Sequence, residues 1–406
     1  MSETTTKITE YHNDPTQFYT TIEVDGTEIA VPFIRQSERK SFKTCQYQWD
    51  WAWNQGFTPA LPKSDARWFG TGLHLCLAEH YVLGTKRGKD MHETWDEFTG
   101  DNYTRIATGP YFDPDEWVDA KALGHEMITN YYKEYGMDSE WEVIAVEQRY
   151  RYKVRDHRGV VIGILVGTFD AVLRNRKTGE VWMIDHKTER ARINMNHLVK
   201  DEQAGTYVSI ATLVLRAQGK IGPKEVVRGI IYNFLRKAKA DTRPKNDRGV
   251  YTNKPIKKHY EAQLGHLVGF NSKMKIDDMA DFAARSGITV LGDESKDQPA
   301  PLFARDYVIR NEFERGRQIQ RISEELQQMD AIRSGGLPLT KAPGDHCGWC
   351  DFKELCDVDE QGGDVENYAR AAFRQRDPYA DHRAGAANSK TSVGADSEAK
   401  KKVRAF

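Results

Sequence analysis

Long hydrophobic runs are missing from this sequence, although 39% of its 406 residues are hydrophobic. A membrane-spanning helix needs about 20 consecutive apolar residues, and no stretch of the chain approaches that length. Residues 1–15 are polar and do not contain the apolar core of a secretory signal. We therefore expect an intracellular, cytoplasmic protein.

An excess of charge of one sign is also missing. The 59 Lys and Arg nearly balance the 60 Asp and Glu, and the net charge is −1. No global positive field therefore indicates a nucleic-acid partner, and any surface that binds nucleic acid has to be a local patch. The chain also lacks a GxxxxGK(S/T) motif, which excludes the phosphate-binding loop of ATP-driven motors.

The hydrophobic period changes near the middle of the chain. Helical spacing and composition predict helices at 37–53, 70–82, 115–136, 196–218, 256–286 and 303–333. Alternating or β-branched residues predict strands at 143–155, 161–173, 180–188 and 229–237. This order of elements predicts an α/β fold in which helices flank a mixed β-sheet core.

Composition divides the chain into three parts. Residues 1–34 form a polar segment with short β-like stretches, and residues 35–360 contain the predicted sheet and helices. Residues 361–406 lose apolar periodicity and gain Gly, Ala, Ser and Lys, so we expect a mostly disordered tail. Within the main part, residues 238–255 are charged and rich in turn-forming residues, which predicts a loop.

Two acidic residues and a lysine are the strongest chemical signal. Asp170 lies near the end of one predicted strand, and Asp185 and Lys187 lie two residues apart in the next, so they share a face. Converging carboxylates repel each other unless a divalent cation lies between them, and oxygen ligands suit Mg²⁺ or Mn²⁺. A lysine beside such a site suits metal-assisted phosphodiester hydrolysis. The alternative interpretation is a solvated strand end with a surface ion pair.

Neighbouring residues favour the first interpretation. His74 follows a glycine-rich helix start in GTGLH, and Gln203 and Tyr207 are four residues apart on the helix after the DxK strand. The motifs occur in this order: GTGLH at 70–74, GTFD at 167–170, IDHKT at 184–188, and Gln203 with Tyr207. Together they resemble the GxxxH, GxxD, (D/E)xK and QxxxY motifs of the RecB-like branch of the PD-(D/E)XK nucleases. The resemblance covers roughly residues 35–360.

This resemblance implies a restriction-endonuclease-like fold and a role for each matching residue. His74, Asp170 and Asp185 would bind Mg²⁺ or Mn²⁺, and the backbone carbonyl of His186 would complete the metal's ligands. Lys187 would act on the attacking water or the scissile phosphate. Gln203 and Tyr207 would border the site and contact DNA. The sequence departs mildly from the pattern, because many relatives have Glu where this chain has Asp185.

Other polar residues near these motifs have two interpretations each. Glu147 lies in the strand before Asp170, where relatives often have a glutamate, but it also suits an exposed strand position. The side chains of His80 and His186 are expected to be structural. In the same strand as Glu147, basic and apolar residues alternate, so one face can either follow a phosphate backbone or face solvent: Arg149, Arg151, Lys153 and Arg155.

The cysteines indicate a second metal centre rather than disulfides, because an odd number of them occurs in a chain without a secretory signal. Cys347, Cys350 and Cys356 form a CxxC-x5-C cluster of three thiolates, which needs a fourth ligand. Cys45 is the candidate. Cys76 is the alternative, but it lies in an apolar stretch and is expected to pack in the core. Spacing alone does not distinguish zinc from an iron–sulfur cluster.

The position of these cysteines, on both sides of a RecB-like core, resembles the iron–sulfur nucleases of the AddB type and the CRISPR-associated exonuclease family. That resemblance implies a 4Fe–4S cluster that joins the N- and C-terminal helical segments. Such a link closes a loop of roughly 300 residues and lowers the entropy of the unfolded chain.

The first functional hypothesis is a metal-dependent DNA exonuclease. It would act on single-stranded DNA or duplex ends in recombination, repair or phage DNA processing, within the host cytoplasm if a phage encodes it. The second is a catalytically idle nucleic-acid-binding protein, and the third is an interaction protein stabilised by zinc. The intact set of His74, Asp170, Asp185 and Lys187 favours the nuclease.

Overall fold

The computed structural model describes residues 19–24, 26–61, 67–190 and 200–383. The strands are β1 (Tyr19–Val24), β2 (Thr27–Arg35), β3 (Phe57–Pro59), β4 (Trp141–Arg155), β5 (Val161–Asn175), β6 (Val181–Glu189), β7 (Val227–Arg236), β8 (Phe303–Ile309) and β9 (Phe373–Gln375). The α-helices are α1 (Gln36–Thr44), α2 (Gln46–Trp49), α3 (Arg67–His80), α4 (Met91–Ala107), α5 (Pro114–Tyr135), α6 (Glu202–Ala217), α7 (Lys257–Leu264), α8 (Ile276–Arg285), α9 (Glu312–Arg333), α10 (Lys353–Glu360) and α11 (Val365–Ala372). Within these described residues, no helix is both long enough and apolar enough to cross a membrane.

A seven-stranded sheet forms the centre of the fold, with the strand order β1-β2-β5-β6-β7-β8 and β4 paired with β5. Strand β5 contacts three others: it is parallel to β2 and antiparallel to β4 and β6. Its first half pairs with β2 through Phe33 and Ile164, and its second half pairs with β6 through Ala171 and Ile184. The mixed sheet flanked by helices confirms the predicted α/β class.

The turn of the β4–β5 hairpin is stabilised by its own side chains. The carboxylate of Asp156 accepts hydrogen bonds of 2.9 Å from the backbone N–H groups of Arg158 and Val160. Gly159 supplies the positive φ of 82° that this turn requires. The turn thereby joins two 15-residue strands that pair antiparallel, with register shifts at Val143/Ala145 and at Val154/Arg155.

Helix α6 packs against the sheet and against α9. Two residues near its start, Asp201 and Gly205, contribute to its position. Asp201 caps the helix by accepting a hydrogen bond of 2.8 Å from the N–H of Ala204. At Gly205 a Cβ atom would lie 3.1 Å from the side-chain oxygen of Gln318 in α9, so the two helices approach closely there. This packing determines where Gln203 and Tyr207 lie.

The chain divides into two compact units. The first contains residues 1–187, 194–234 and 305–406, and the second contains residues 188–193 and 235–304. The second unit has a small apolar core of its own, formed by Tyr260, Leu264, Met279, Ala283 and Val290. It lies inside the range 35–360 that the sequence predicts as one domain.

The N-terminal boundary also differs from the prediction. Strand β2 ends at Arg35 and pairs with β5 in the central sheet, and its Ile34 is 0% exposed. Residues 27–34 therefore belong to the central sheet rather than to a separate polar segment, and residues 31–34 are buried in its core.

Two predicted helices differ from the observed elements. Residues 303–309 form strand β8 instead of the start of a helix, because this short segment continues the sheet beside β7. Residues 256–286 form two short helices, α7 and α8, instead of one.

The C-terminal part of the chain differs most from the prediction. Residues 361–383, predicted as the start of a disordered tail, contain α11, β9 and a 3-10 turn at Ala380–His382. Tyr379 is 0% exposed, stacks on Phe33 with ring centroids 5.4 Å apart, and donates a hydrogen bond to the buried carboxylate of Glu38. Isolated aromatic residues thus anchor a segment whose average composition is polar. Residues 384–406 lie outside the described residues.

Candidate active site and cysteine cluster

Asp170 in β5 and Asp185 in β6 lie next to each other at the point where the two strands stop pairing. The last residue pair before them is Ala171 with Ile184. The carboxylate of Asp170 accepts a hydrogen bond of 2.9 Å from the backbone N–H of His186. This bond positions Asp170 against the strand that carries the DxK motif.

Four side chains form a connected group, which we call the DxK cluster: Asp185, Lys187, Gln203 and Tyr207. The ammonium of Lys187 lies 2.6 Å from Asp185 Oδ2. The side-chain oxygen of Gln203 accepts a hydrogen bond of 3.0 Å from Lys187, and its amide donates one of 3.0 Å to Asp185. The same amide lies 3.3 Å from the hydroxyl of Tyr207. Gln203 therefore holds the acid and the lysine in a single geometry.

Burial determines the electrostatics of this cluster. Burial and the nearby charge of Asp170 raise the pKa of Asp185 to about 7, although Lys187 opposes the shift. Burial lowers the pKa of Lys187, but the charge of Asp185 outweighs that effect and the net pKa is raised. Lys187 is therefore a cation at neutral pH in this arrangement.

His74 lies on the other side of Asp170. Its Nδ1 is 3.7 Å from Asp170 Oδ2, and its side chain is partly exposed. Helix α3 brings His74 there because Gly72 permits close packing on α4: a Cβ atom at Gly72 would lie 2.6 Å from the rings of Trp95 and Phe98. The second glycine of GTGLH is thus a packing residue.

The glycine of the GTFD motif has a comparable role. A Cβ atom at Gly167 would lie 2.3 Å from the hydroxyl of Tyr150, whose ring stacks on Phe169 at 4.6 Å. Phe169 in turn contacts the ring of Tyr207 at 5.3 Å. The motif glycine therefore leaves room for the aromatic residues that support Tyr207.

Glu147 joins the site from strand β4. It has a positive φ of 44°, which interrupts the regular strand opposite Asp170. Its side chain reaches solvent in a cavity, yet burial by the walls of that cavity and the charge of Asp170 raise its pKa to about 7. Glu147 is thus exposed, as one interpretation of the sequence predicts, and it lies near Asp170, as the other requires.

A cavity of about 810 Å³ opens onto this site. Its lining includes His74, Glu147 and Asp170, together with Arg149 and Lys220. The lining does not include the four residues of the DxK cluster, and Asp185 is only 3% exposed. The cavity offers a substrate both carboxylates and cations at the same mouth.

The side chain of His186 points away from the cavity into a buried polar group that the sequence does not reveal. We call this group the Arg305 network: Tyr81, Tyr131, Asp138, Asn233 and Arg305. Arg305 pairs with Asp138 at 2.6 Å and donates to the Asn233 side-chain oxygen at 3.2 Å. The Asn233 amide therefore faces His186 Nδ1, at 2.8 Å, as a donor.

Two consequences follow for His186. Burial and the nearby cationic groups lower its pKa well below the ordinary value, so the ring is neutral. A neutral ring that accepts from Asn233 carries its proton on Nε2. The network thus fixes the orientation of the residue between Asp185 and Lys187, and no local sequence pattern marks Asn233, Asp138 or Arg305.

The basic residues of β4 do not act as one face. Arg149 lines the cavity, whereas Arg151 donates a hydrogen bond to the backbone oxygen of His382 and lies 5.4 Å from the ring of Phe33. Arg155 donates to Gly159 within its own turn at 2.7 Å. The predicted basic stripe is therefore partly used to hold the C-terminal segment.

Four of the five cysteines lie in two segments of the chain that approach each other. Cys45 interrupts the predicted helix 37–53 with extended backbone angles, φ −163° and ψ 124°, between α1 and α2. It lies near enough to Cys350 and Cys356 to influence their pKa values, and Cys347 influences Cys350 in the same way. Burial is the largest cause of the raised pKa values of Cys350 and Cys356.

The fifth cysteine is separate. Cys76 is 0% exposed, and burial raises the pKa of its thiol to about 12. It packs in the core, as the sequence predicts. Among the described residues, no group of three or more His, Cys, Asp or Glu side chains has the spacing that would hold a single metal ion.

Comparison with known proteins gives one family. Residues 36–357 match the family model described as the PD-(D/E)XK nuclease superfamily. The chain therefore belongs to the PD-(D/E)XK nuclease superfamily, whose members are phosphodiester-hydrolysing nucleases that typically use Mg²⁺ or Mn²⁺.

Two further comparisons add little. No curated protein matches the chain. Among solved structures, the "Crystal structure of SSO0001" is 12% identical, with a TM-score of 0.25, and the match covers 70% of this chain and 84% of that one.

Proposed function

We propose that this protein is a metal-dependent DNA exonuclease that acts on single-stranded DNA or duplex ends. The observation that carries the proposal is the proximity of four side chains. His74 and Asp170 line one cavity, and Asp185 and Lys187, held by Gln203, form an ion pair on the strand beside Asp170. Histidine, paired carboxylates and a lysine form the donor set of metal-assisted phosphodiester hydrolysis.

The residues fit a divalent cation by their chemistry. Asp170 and Asp185 supply the carboxylate oxygens that Mg²⁺ and Mn²⁺ prefer, His74 supplies a nitrogen, and the backbone carbonyl of His186 is the fourth group. When bound, the cation supplies Lewis-acid charge for the hydrolysis. Burial and the charge of Asp170 raise the pKa of Glu147 to about 7, so a cation here would offset negative charge that is already concentrated in this corner.

Each remaining side chain has a separate task. Lys187 places a positive charge where the scissile phosphate or the attacking water lies. Gln203 keeps Lys187 and Asp185 in place, since it is bonded to both. Tyr207, packed on Phe169, borders the cluster and is proposed to contact DNA.

We also propose that Cys45, Cys347, Cys350 and Cys356 hold a 4Fe–4S cluster, with zinc as the alternative. Cys45 lies near Cys350 and Cys356, and Cys347 lies near Cys350. Cys350 and Cys356 also pack beside an apolar cluster that contains Trp51 and Phe352. Four thiolates are the ligand set of a 4Fe–4S cluster. Visible absorbance near 400 nm, together with the iron and zinc content per chain, distinguishes the two.

A cleavage time course tests the proposed activity. Linear single-stranded DNA labelled at one end and circular single-stranded DNA are incubated separately with Mg²⁺ or Mn²⁺. An exonuclease degrades the linear DNA and leaves the circle intact. Cleavage of the circle at a similar rate would show an endonuclease, and no cleavage of either would favour the alternative of an idle nucleic-acid-binding protein.

The pathway of such an enzyme would be recombination, repair or the processing of phage DNA in the cytoplasm. This part of the proposal rests on the RecB-like motifs alone. Cleavage of duplex ends as well as of single strands would support it.

A further inference from the structure

The second compact unit contains a concentration of positive charge that the active site does not use. Residues 236–258 contain nine Lys and Arg and two Asp, which gives a net charge of +7. The whole chain has a net charge of −1, so the other residues together carry −8. We call residues 236–258 the basic segment; it includes the stretch 238–255 that the sequence marks as a charged loop.

The basic segment has a defined backbone, although residues 237–256 form neither a helix nor a long strand. Asn246 accepts hydrogen bonds from the N–H groups of Arg248 at 3.0 Å and Val250 at 3.0 Å, and Gly249 has a positive φ of 75°. The backbone N–H and C=O of Tyr251 are both bonded to the side chain of Gln298, at 3.0 Å each. These side-chain hydrogen bonds hold the loop in a defined conformation.

Some cations of the segment are neutralised within the unit. Arg243 pairs with Asp241 at 2.6 Å and Lys258 pairs with Asp293 at 2.9 Å, while Arg248 forms an ion pair with Glu294. These pairs hold the loop but leave less charge for a partner.

Three exposed lysines are different: Lys239, Lys245 and Lys254. Within the part of the chain that the structure describes, none of them forms an ion pair with a carboxylate. Lys245 lies 4.6 Å from the ring of Tyr251, which orients its ammonium without neutralising it. The segment therefore exposes uncompensated positive charge at several points along a fixed loop.

We propose that the basic segment is a second, sequence-independent binding surface for the nucleic-acid backbone, with Lys239, Lys245 and Lys254 as its main phosphate contacts. The inference rests on the proposed nuclease function for its choice of partner, because a phosphodiester substrate is the polyanion that the active site implies. A local basic patch on a chain of nearly zero net charge is the electrostatic footprint of such binding.

The composition of the segment favours nucleic acid over an anionic membrane. A membrane-binding segment needs apolar side chains that insert beside its charges. Among the exposed residues of this segment, Ile256, at 53% exposed, is the large hydrophobic one.

Binding is measured without divalent metal, so that no cleavage occurs. The probes are a labelled 40-nucleotide single strand and a duplex of the same length, over a series of salt concentrations. The test variant combines Lys239→Ala, Lys245→Ala and Lys254→Ala. The matched control combines Lys133→Ala, Lys177→Ala and Lys273→Ala, three exposed lysines outside the segment that remove the same charge.

The test variant is expected to bind both probes about tenfold more weakly or worse, and its plot of log affinity against log salt should be shallower by about 2 on the single strand and about 3 on the duplex. The control should keep the parent's slope. Hydrolysis of the minimal substrate thymidine 5′-monophosphate p-nitrophenyl ester with Mn²⁺ should be the same in all three proteins. Circular dichroism and a thermal melt confirm that each is folded.

Equal affinity and slope in the test variant and the parent would overturn the inference, as would an equal loss in the control. Loss of binding to phosphatidylserine vesicles without loss of binding to DNA would also overturn it, in favour of a membrane surface. The proposed function fails separately: a parent protein that binds DNA through these lysines but never cleaves it with Mg²⁺ or Mn²⁺ supports the surface and contradicts the nuclease.

Discussion

Two polar groups meet at strand β6, and they differ in what their members contact. Asp185 and Lys187 project from one face of the strand into the DxK cluster, while His186 projects from the other face into the Arg305 network. The DxK cluster lies beside Asp170, which lines a cavity together with Glu147. In the Arg305 network, the charged pair of Arg305 and Asp138 is buried, and both members are fully engaged.

We interpret this as a difference between groups that act on a substrate, in the DxK cluster and its cavity, and groups that only position their neighbours, in the Arg305 network. A site that acts on a substrate has to keep groups whose bonding is incomplete until the substrate or cation arrives, and it stores electrostatic strain as shifted pKa values. A group that only positions its neighbours has every donor and acceptor satisfied. The same strand serves both, because successive residues alternate between its faces.

The largest expected effect is on the cavity side. Asp170→Ala removes a carboxylate that faces His74 and holds the backbone of His186. We expect the cleavage rate to fall on the order of 10³-fold, equivalent to about 4 kcal/mol. The measurement is the single-turnover rate with Mn²⁺. Asp119→Ala, an exposed change on α5, is the control, and a matching loss there would contradict the assignment.

The positioning side predicts a loss of stability instead. Arg305→Leu leaves Asp138 buried without its partner, which should lower the free energy of unfolding by about 3–5 kcal/mol in urea denaturation. Changing both residues to Leu should restore part of that loss, because no unpaired charge is left. If Arg305→Leu alone leaves the free energy of unfolding close to that of the parent, the Arg305 network does not support β6.

The C-terminal segment, residues 361–383, extends the comparison, because it contributes buried side chains but none of the predicted catalytic residues. Truncation after residue 360 removes Tyr379, which fills a buried site against Phe33 and Glu38. Loss of a buried aromatic residue typically costs about 3–5 kcal/mol, so the thermal midpoint should fall by several degrees or the protein should be insoluble. Truncation after residue 383 is the control and should change the midpoint little. Equal stability of the two truncated proteins would show that residues 361–383 do not stabilise the core.

The smallest effect is expected at the cysteine that is isolated from the others. Cys76→Ser should cost about 1 kcal/mol of stability and leave the iron content unchanged, because Cys76 is a buried core thiol apart from the other four cysteines. Cys45→Ser should give colourless protein without iron. If Cys45→Ser keeps about four irons per chain while Cys76→Ser loses them, the ligand assignment is wrong.

The sequence predicts the DxK side much better than the Arg305 side. Asp185 and Lys187 are two residues apart, and Gln203 and Tyr207 are four apart, so strand and helix geometry alone place each pair on one face. The structure brings all four together. Their catalytic roles stay predictions, but their proximity follows from the spacing.

The other residues have no such spacing. Asn233, Asp138 and Arg305 come from three distant parts of the chain, and each is a single polar residue in an ordinary context. A buried polar network forms from tertiary packing, so periodicity cannot reveal it. The position of Arg305 is also difficult to predict because its strand, β8, has the composition expected of a helix start.

The C-terminal segment illustrates a second limit of sequence reasoning. Average composition from residue 361 onward suggests disorder, whereas Phe373 and Tyr379 of residues 361–383 are buried. A few large aromatic side chains contribute more burial than the many polar residues between them.

Lys187 gives the most direct test of the central claim, that this cluster is a nuclease centre. The measurement compares parent and Lys187→Ala protein in single-turnover cleavage of end-labelled single-stranded DNA with Mn²⁺, with DNA affinity determined separately in EDTA. We predict that Lys187→Ala loses cleavage while its affinity and thermal midpoint stay close to those of the parent. Cleavage at nearly the parental rate by Lys187→Ala would contradict the account.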